Sequence, residues 1–387
     1  MRSTVSRTPN RRWSAVVAAA VLTLAGLATA PPSPAVASAD HWRTVAPAHV
    51  ARGFHTATRL RTGRVLVAGG YRAGGQVTAK AEIYTPWTNR WRRIAPMAHA
   101  RAFHQAVRLR SGKVLVVGGG VVPEVYVPWA GRWRSVAAPR HGTRASTATL
   151  MADGRVFVYG TSGDCSGVPE IYTPWKNSWR DGAPVDDAVV PCGGKSVLLH
   201  DGRVLMHGGE NNQGSGFTGT YLYDPATNSW SRPEPSDPPI QESFLHMSHS
   251  LTVLTGGQVL LAGGTCRLCT GSERFTFLFR PVTDQWARTG DFNVGRQDNV
   301  LAPLPHGRAL AAGGYAINWS DPDPQPQPRS AEVYDVHTGT WVRTSDMHDD
   351  HDVGLTATPL RNGRVLVVGG ANINAPSATA FAEVYVP

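Results

Sequence analysis

The chain of 387 residues is 41% hydrophobic and 17% charged, which excludes a disordered or collagen-like chain and leaves enough apolar surface for a large core. Lys and Arg number 38 against 28 Asp and Glu, but four arginines precede residue 40, so the remainder is only mildly basic. Its basic residues recur once or twice per turn along the chain, as at Arg61 and Arg64 or Arg110 and Lys113, and this spread argues against nucleic acid as a partner.

Residues 1–39 read as a secretory signal peptide: Arg2, Arg7, Arg11 and Arg12 precede the apolar run Ala15 to Leu27, and Ala37-Ser38-Ala39 forms an A-x-A cleavage site before Asp40. The expectation is a secreted, extracellular protein with no membrane anchor after cleavage. Cys165, Cys192, Cys266 and Cys269 all lie in the exported part, where an oxidising compartment favours disulfides, Cys165 with Cys192 and Cys266 with Cys269.

From residue 54 onward the chain repeats itself. FHTATRLRTGRVLVAGG returns 49 residues later as FHQAVRLRSGKVLVVGG. The glycine that closes the β-rich run recurs as Gly69, Gly118, Gly160, Gly208, Gly263, Gly313 and Gly369, which counts seven units. Each unit has an apolar stretch, a Gly-containing turn, this run, and a third stretch ending in an aromatic: Tyr84, Tyr126, Tyr172, Tyr223, Phe279, Tyr334 or Tyr385. Short β-rich runs between turn glycines predict strands and hairpins. In six units a tryptophan follows the aromatic by seven residues (Trp91, Trp133, Trp179, Trp230, Trp286, Trp341). The seventh lacks it, and Trp42 precedes His55 by the 13 residues that separate Trp91 from His104. The prediction is an all-β, seven-bladed β-propeller spanning residues 40–387, its last blade closed by an N-terminal strand containing Trp42, so that no sheet edge is left open.

The double glycine, the Glu-x-Tyr triplets at Glu82, Glu124, Glu170, Glu332 and Glu383, and the spaced tryptophans resemble the kelch family, which implies a kelch-type propeller. A propeller hosts catalysis, binding and scaffolding alike, so function must come from the site.

Strand alternation sorts the loops onto two faces. The start of each innermost strand gathers Arg52 and His55, Arg101 and His104, His246 and His249, Arg296 and Asp298, and His351 and Asp352 around the axis. Imidazoles and carboxylates from several blades suit copper or another transition metal, with His246, His249 and His351 as candidate ligands because they follow no repeated rule. His55 and His104 share a repeated position, which also suits hydrogen bonding between blades. The opposite face carries Trp87, Trp129 and Trp175 on three consecutive units, placed to stack on sugar rings, anchor a partner or pack against a neighbouring blade.

The stretches PCGG at Pro191 to Gly194, His249-Ser250 and GGTCRLC at Gly263 to Cys269 resemble the galactose oxidase and glyoxal oxidase group. That resemblance implies a copper ion held by two tyrosines and two histidines, with one tyrosine crosslinked to a cysteine; Cys192 matches the crosslinking cysteine and His249 the propeller histidine. The match departs at the tyrosines, where this chain has Phe54, Phe103, Ser248 and Asp298, and the group's second copper histidine comes from a domain after the propeller, which is not expected here. The leading expectation is a monomeric binding protein that recognises a glycan, small molecule or cell-surface protein through its axial His/Arg/Asp face. The alternative is an enzyme at that face, a metal-dependent oxidoreductase or a sugar-modifying acid–base enzyme using Arg296, Asp298, His351 and Asp352.

Overall fold

The computed structural model describes residues 40–145, 147–160, 167–185, 194–210, 216–233, 248–264, 274–316, 329–351, 353–371 and 377–387, with backbone alone for 209–210 and 216–218. Residues 1–39, all four cysteines, His246 and Asp352 lie outside the described residues.

Seven four-stranded antiparallel sheets form the blades. Blade one is Thr56–Arg59, Val65–Ala68, Ala81–Thr85 and Arg90–Ile94, from the axis outward. The innermost strands touch their neighbours in unbroken order from blade one to blade seven and back to blade one, so the ring closes. Blade seven takes Thr356–Pro359, Val365–Val368 and Ala382–Val386 from the C-terminal end and His41–Thr44 from the N-terminal end, with Trp42 opposite Tyr385. The second strands are dominated by apolar runs, such as Val65–Ala68 and Val365–Val368, because both their faces are covered by neighbouring blades. At the junction of blades one and two, for example, Leu66, Ala68 and Ile83 pack on Val114, Val116 and Tyr126.

The repeated aromatics are cross-strand pairs. Tyr84 lies opposite Trp91 with ring centroids 4.9 Å apart, and the other six blades repeat the pairing, Trp42 with Tyr385 included at 5.3 Å. Each indole N–H then reaches the preceding blade: Trp91 donates to the Ala46 carbonyl, Trp133 to Ala95, Trp179 to Ala137, and Trp42 to the Thr344 hydroxyl. The tryptophan thus joins packing within a blade to registration between blades.

The Glu-x-Tyr carboxylates have an equally local purpose. Glu82 is buried, accepts the backbone N–H of His49, and pairs with the Arg52 guanidinium at 2.9 Å. Glu124 does the same with the N–H of Ala98 and with Arg101 at 2.8 Å, and Glu332 with Asn293 and Arg296 at 2.8 Å. Each of these three buried charges is therefore paired and hydrogen-bonded, and the pair fixes the loop that leads into the innermost strand. Blade seven replaces the arginine with His351, whose Nε2 lies 3.5 Å from Glu383. The glycine closing the second strand sits under this loop: Gly69 has φ +71°, and a Cβ there would fall 2.6 Å from both the Arg101 carbonyl and the His104 ring.

Candidate functional site at the propeller axis

Just before each innermost strand the chain turns from loop into sheet, and among the described residues five blades do so in the left-handed region: Phe54 (φ 55°), Phe103 (φ 51°), Ser248 (φ 55°), Asp298 (φ 53°) and Gly354 (φ 66°). Four of these are not glycine, a conformation that persists only when its surroundings hold it. Hydrogen bonds between blades supply that hold. Phe54 N–H donates to the Gly354 carbonyl (2.7 Å), Phe103 N–H to Phe54 (3.2 Å) and Asp298 N–H to Ser248 (2.9 Å). The result is a ring of side chains rimming one mouth of the axial channel.

That mouth opens into a cavity of about 710 Å³, and its wall is divided. On blades one and two, Phe54 and Phe103 lie with ring centroids 4.4 Å apart, and Tyr71 closes edge-on against both. Phe103 remains 58% exposed despite its size. Across the axis, blades four to six present Lys195, Ser248 and Asp298. Asp298 hydrogen-bonds Ser248, and burial raises its carboxyl above the usual carboxylate range against the opposing pull of that bond and of Lys195. Lys195 is open to solvent in the channel yet walled in by strands; this confinement lowers its ammonium, while Asp298 acts to raise it.

The residues anticipated at this site divide accordingly. Asp298 and His249 line the cavity. Arg52, Arg101 and Arg296 do not: they are the largest fully or almost fully buried polar side chains, and their guanidiniums are taken up by Glu82, Glu124 and Glu332. His55 and His104 touch the cavity wall, but their Nε2 atoms bind the hydroxyls of Thr356 (3.0 Å) and Thr56 (2.9 Å) on the preceding blade. Burial holds both neutral, with His104 pushed down to about 3 and the neighbouring Arg101 and Arg52 adding to the effect. His351 is fully buried, its Nδ1 on the Gly369 carbonyl and its Nε2 toward Glu383. Trp87, Trp129 and Trp175 are 61%, 68% and 65% exposed on the opposite face.

Lys195 was not among the anticipated residues. Its signal lies in the register: Thr56, Gln105, Thr147, Lys195, Ser250, Val300 and Thr356 occupy equivalent positions at the entrance of the innermost strands, and one cation stands among uncharged residues.

A copper centre needs several convergent donors. Among the described residues, no three His, Cys, Asp or Glu side chains come together in a metal-ligand arrangement. His249, which the galactose oxidase resemblance would make a copper ligand, packs edge-on against the buried His207 ring at 5.2 Å. The phenol positions hold Phe54, Phe103, Ser248 and Asp298, none of which can carry a phenoxyl radical. The described residues therefore do not fit the copper radical site.

Residues 61–98 match the Kelch motif. No curated protein matches the chain. Among solved structures, the chain is similar to a fungal alcohol oxidase of the AA5 family in complex with copper, at 16% identity and a TM-score of 0.49, covering 90% of this chain and 77% of that one. This chain is a seven-bladed β-propeller whose first blade matches the Kelch motif and whose other blades repeat that blade's strand order and aromatic pairing.

Proposed function

We propose that the axial cavity binds a sugar or sugar-sized polar ligand. The carrying observation is its divided wall, with Phe54 and Phe103 on one side and Lys195, Ser248 and Asp298 on the other. A pyranose has an apolar C–H face and a rim of hydroxyls, so an aromatic platform opposite convergent donors and acceptors matches both. A cavity of about 710 Å³ accommodates a mono- or disaccharide. The ligand-facing groups are thus fewer than the axial set of histidines and arginines, most of which serve the scaffold.

Calorimetric titration with neutral hexoses and their disaccharides tests this reading. Phe103→Ala and Asp298→Asn are each expected to weaken binding about tenfold, the loss of one ring contact or one charge-assisted hydrogen bond. Unchanged affinity in both variants would refute it.

A second reading, acid–base chemistry on the bound sugar, is favoured by one specific feature: the Asp298 carboxyl is raised and the Lys195 ammonium lowered within one cavity. Such opposed displacements bring a proton donor and an acceptor toward the same working pH. Turnover of a bound sugar that Asp298→Asn abolishes while binding survives would establish it.

A further inference from the structure

Basic residues that are spread along the sequence are gathered in space. Residues 40–181, which include blades one to three, hold 21 Lys and Arg against 7 Asp and Glu, whereas residues 182–387 hold 13 against 21. The turns joining first and second strands form a chain of arginines across four blades: Arg361 donates to the Arg61 carbonyl, Arg61 to that of Arg110, and Arg110 to that of Ala152. Inside this arc, at the far mouth of the channel, Arg59 and Arg108 line a hollow of about 310 Å³ with no carboxylate in its wall. Burial, and repulsion from Arg59, Arg61 and Arg361, lower the Arg108 pKa, as expected where cations crowd without counter-charge.

The exposed indoles occupy the same blades. Trp87 and Trp129 each have a cation over the ring, Arg64 at 5.6 Å and Lys113 at 6.0 Å. The clefts beside them are open. Trp87 walls one of about 350 Å³ with Arg43, Arg361 and Arg364 and no acid. Trp175 walls another of about 650 Å³ with Arg110, Lys113 and Arg134; its single acid, Asp153, is held by Arg155. Blades four to six carry Ala226, Val282 and His337 where these tryptophans stand, so indoles and excess cations end together.

We propose that this face, opposite the axial cavity, docks an acidic polysaccharide, a chain of uronate sugars. An indole stacks on the C–H face of a sugar ring, and a guanidinium fork takes a carboxylate in bidentate fashion. A polymer bearing both features at every residue can engage one indole-and-cation unit on each of blades one to three, with the blade-seven arginines Arg361 and Arg364 extending the arc, and several weak contacts then add as avidity.

The test uses the full propeller with polygalacturonate, neutral dextran and an oligothymidylate as probes. The wild type is expected to bind polygalacturonate and not dextran, with affinity falling as salt rises from about 0.05 to 0.3 M. Trp87→Ala with Trp175→Ala is expected to lose about tenfold or more, and Arg64→Ser with Lys113→Ser, both at the surface, a comparable factor. Phe103→Ala in the axial cavity should change nothing, which separates this proposal from the axial reading. Polygalacturonate binding that survives both double variants would overturn the proposal. So would equal or tighter binding of the oligothymidylate with the same variant sensitivity, which would assign the face to single-stranded nucleic acid.

Discussion

Acidification should destabilise the propeller through two buried histidines. His104 is 4% exposed between blades one and two, its Nε2 on the Thr56 hydroxyl, with its pKa pushed down to about 3 by burial and nearby arginines. In the unfolded chain it titrates near 6.5. The folded state therefore binds fewer protons than the unfolded state below that value. The stability it contributes is complete above about pH 6.5, falls by roughly 1.4 kcal/mol per pH unit below it, and stops falling near pH 3. At pH 5 the loss is about 2 kcal/mol for His104, and His55, lowered for the same reasons, adds a further loss of the same sign. Urea unfolding at pH 7.5, 6 and 5, with wild type and His104→Gln side by side, measures it. Glutamine keeps a donor for Thr56 and cannot titrate, so the variant should recover about 2 kcal/mol at pH 5 relative to its deficit at pH 7.5. Parallel pH profiles, or a His104 ring resonance titrating near its ordinary value, would refute the reasoning.

Three further outcomes follow from the scaffold. Arg101→Met leaves Glu124 buried with its backbone donors but without its cation and should cost about 3–5 kcal/mol in unfolding free energy, much of it restored by adding Glu124→Leu. Trp42→Ala removes the Tyr385 contact and the bond to Thr344 that close the ring; a loss of about 3–5 kcal/mol in chemical denaturation is expected. Gly69→Ala must hold an alanine at φ +71° with its Cβ 2.6 Å from the Arg101 carbonyl, so it should lose about 1–3 kcal/mol from backbone strain alone, read as a lowered melting temperature.

The architecture was legible because a propeller writes its packing periodically. The seven-residue interval from Tyr84 to Trp91 is the cross-strand pair itself, and the equal spacing of Trp42 and Trp91 from the following histidines located the closing strand. The site was less legible for the same reason. A charged residue at a repeated position, such as Arg52 or Arg101, resembles a functional group in the sequence, and only its partner shows otherwise: Glu82 and Glu124 lie 30 and 23 residues away and consume the charge. Histidine behaves alike, since His55 and His104 reach across blade junctions that the sequence does not display. Lys195 escaped notice because its meaning depends on strand register, which places it in the axial cavity with Asp298. The basic face escaped because its arginines, each isolated in the sequence, converge only when the ring closes blade seven onto blade one.

On the proposed reading, a sugar-sized ligand lies between the Phe54 and Phe103 rings and the Lys195, Ser248 and Asp298 groups. A crystal of the protein soaked with a disaccharide that binds in calorimetry tests it most directly. The expected density is a pyranose stacked on Phe103 with a hydroxyl in hydrogen-bond contact with Asp298; a sugar bound elsewhere, with the axial cavity holding none of it, would overturn the reading.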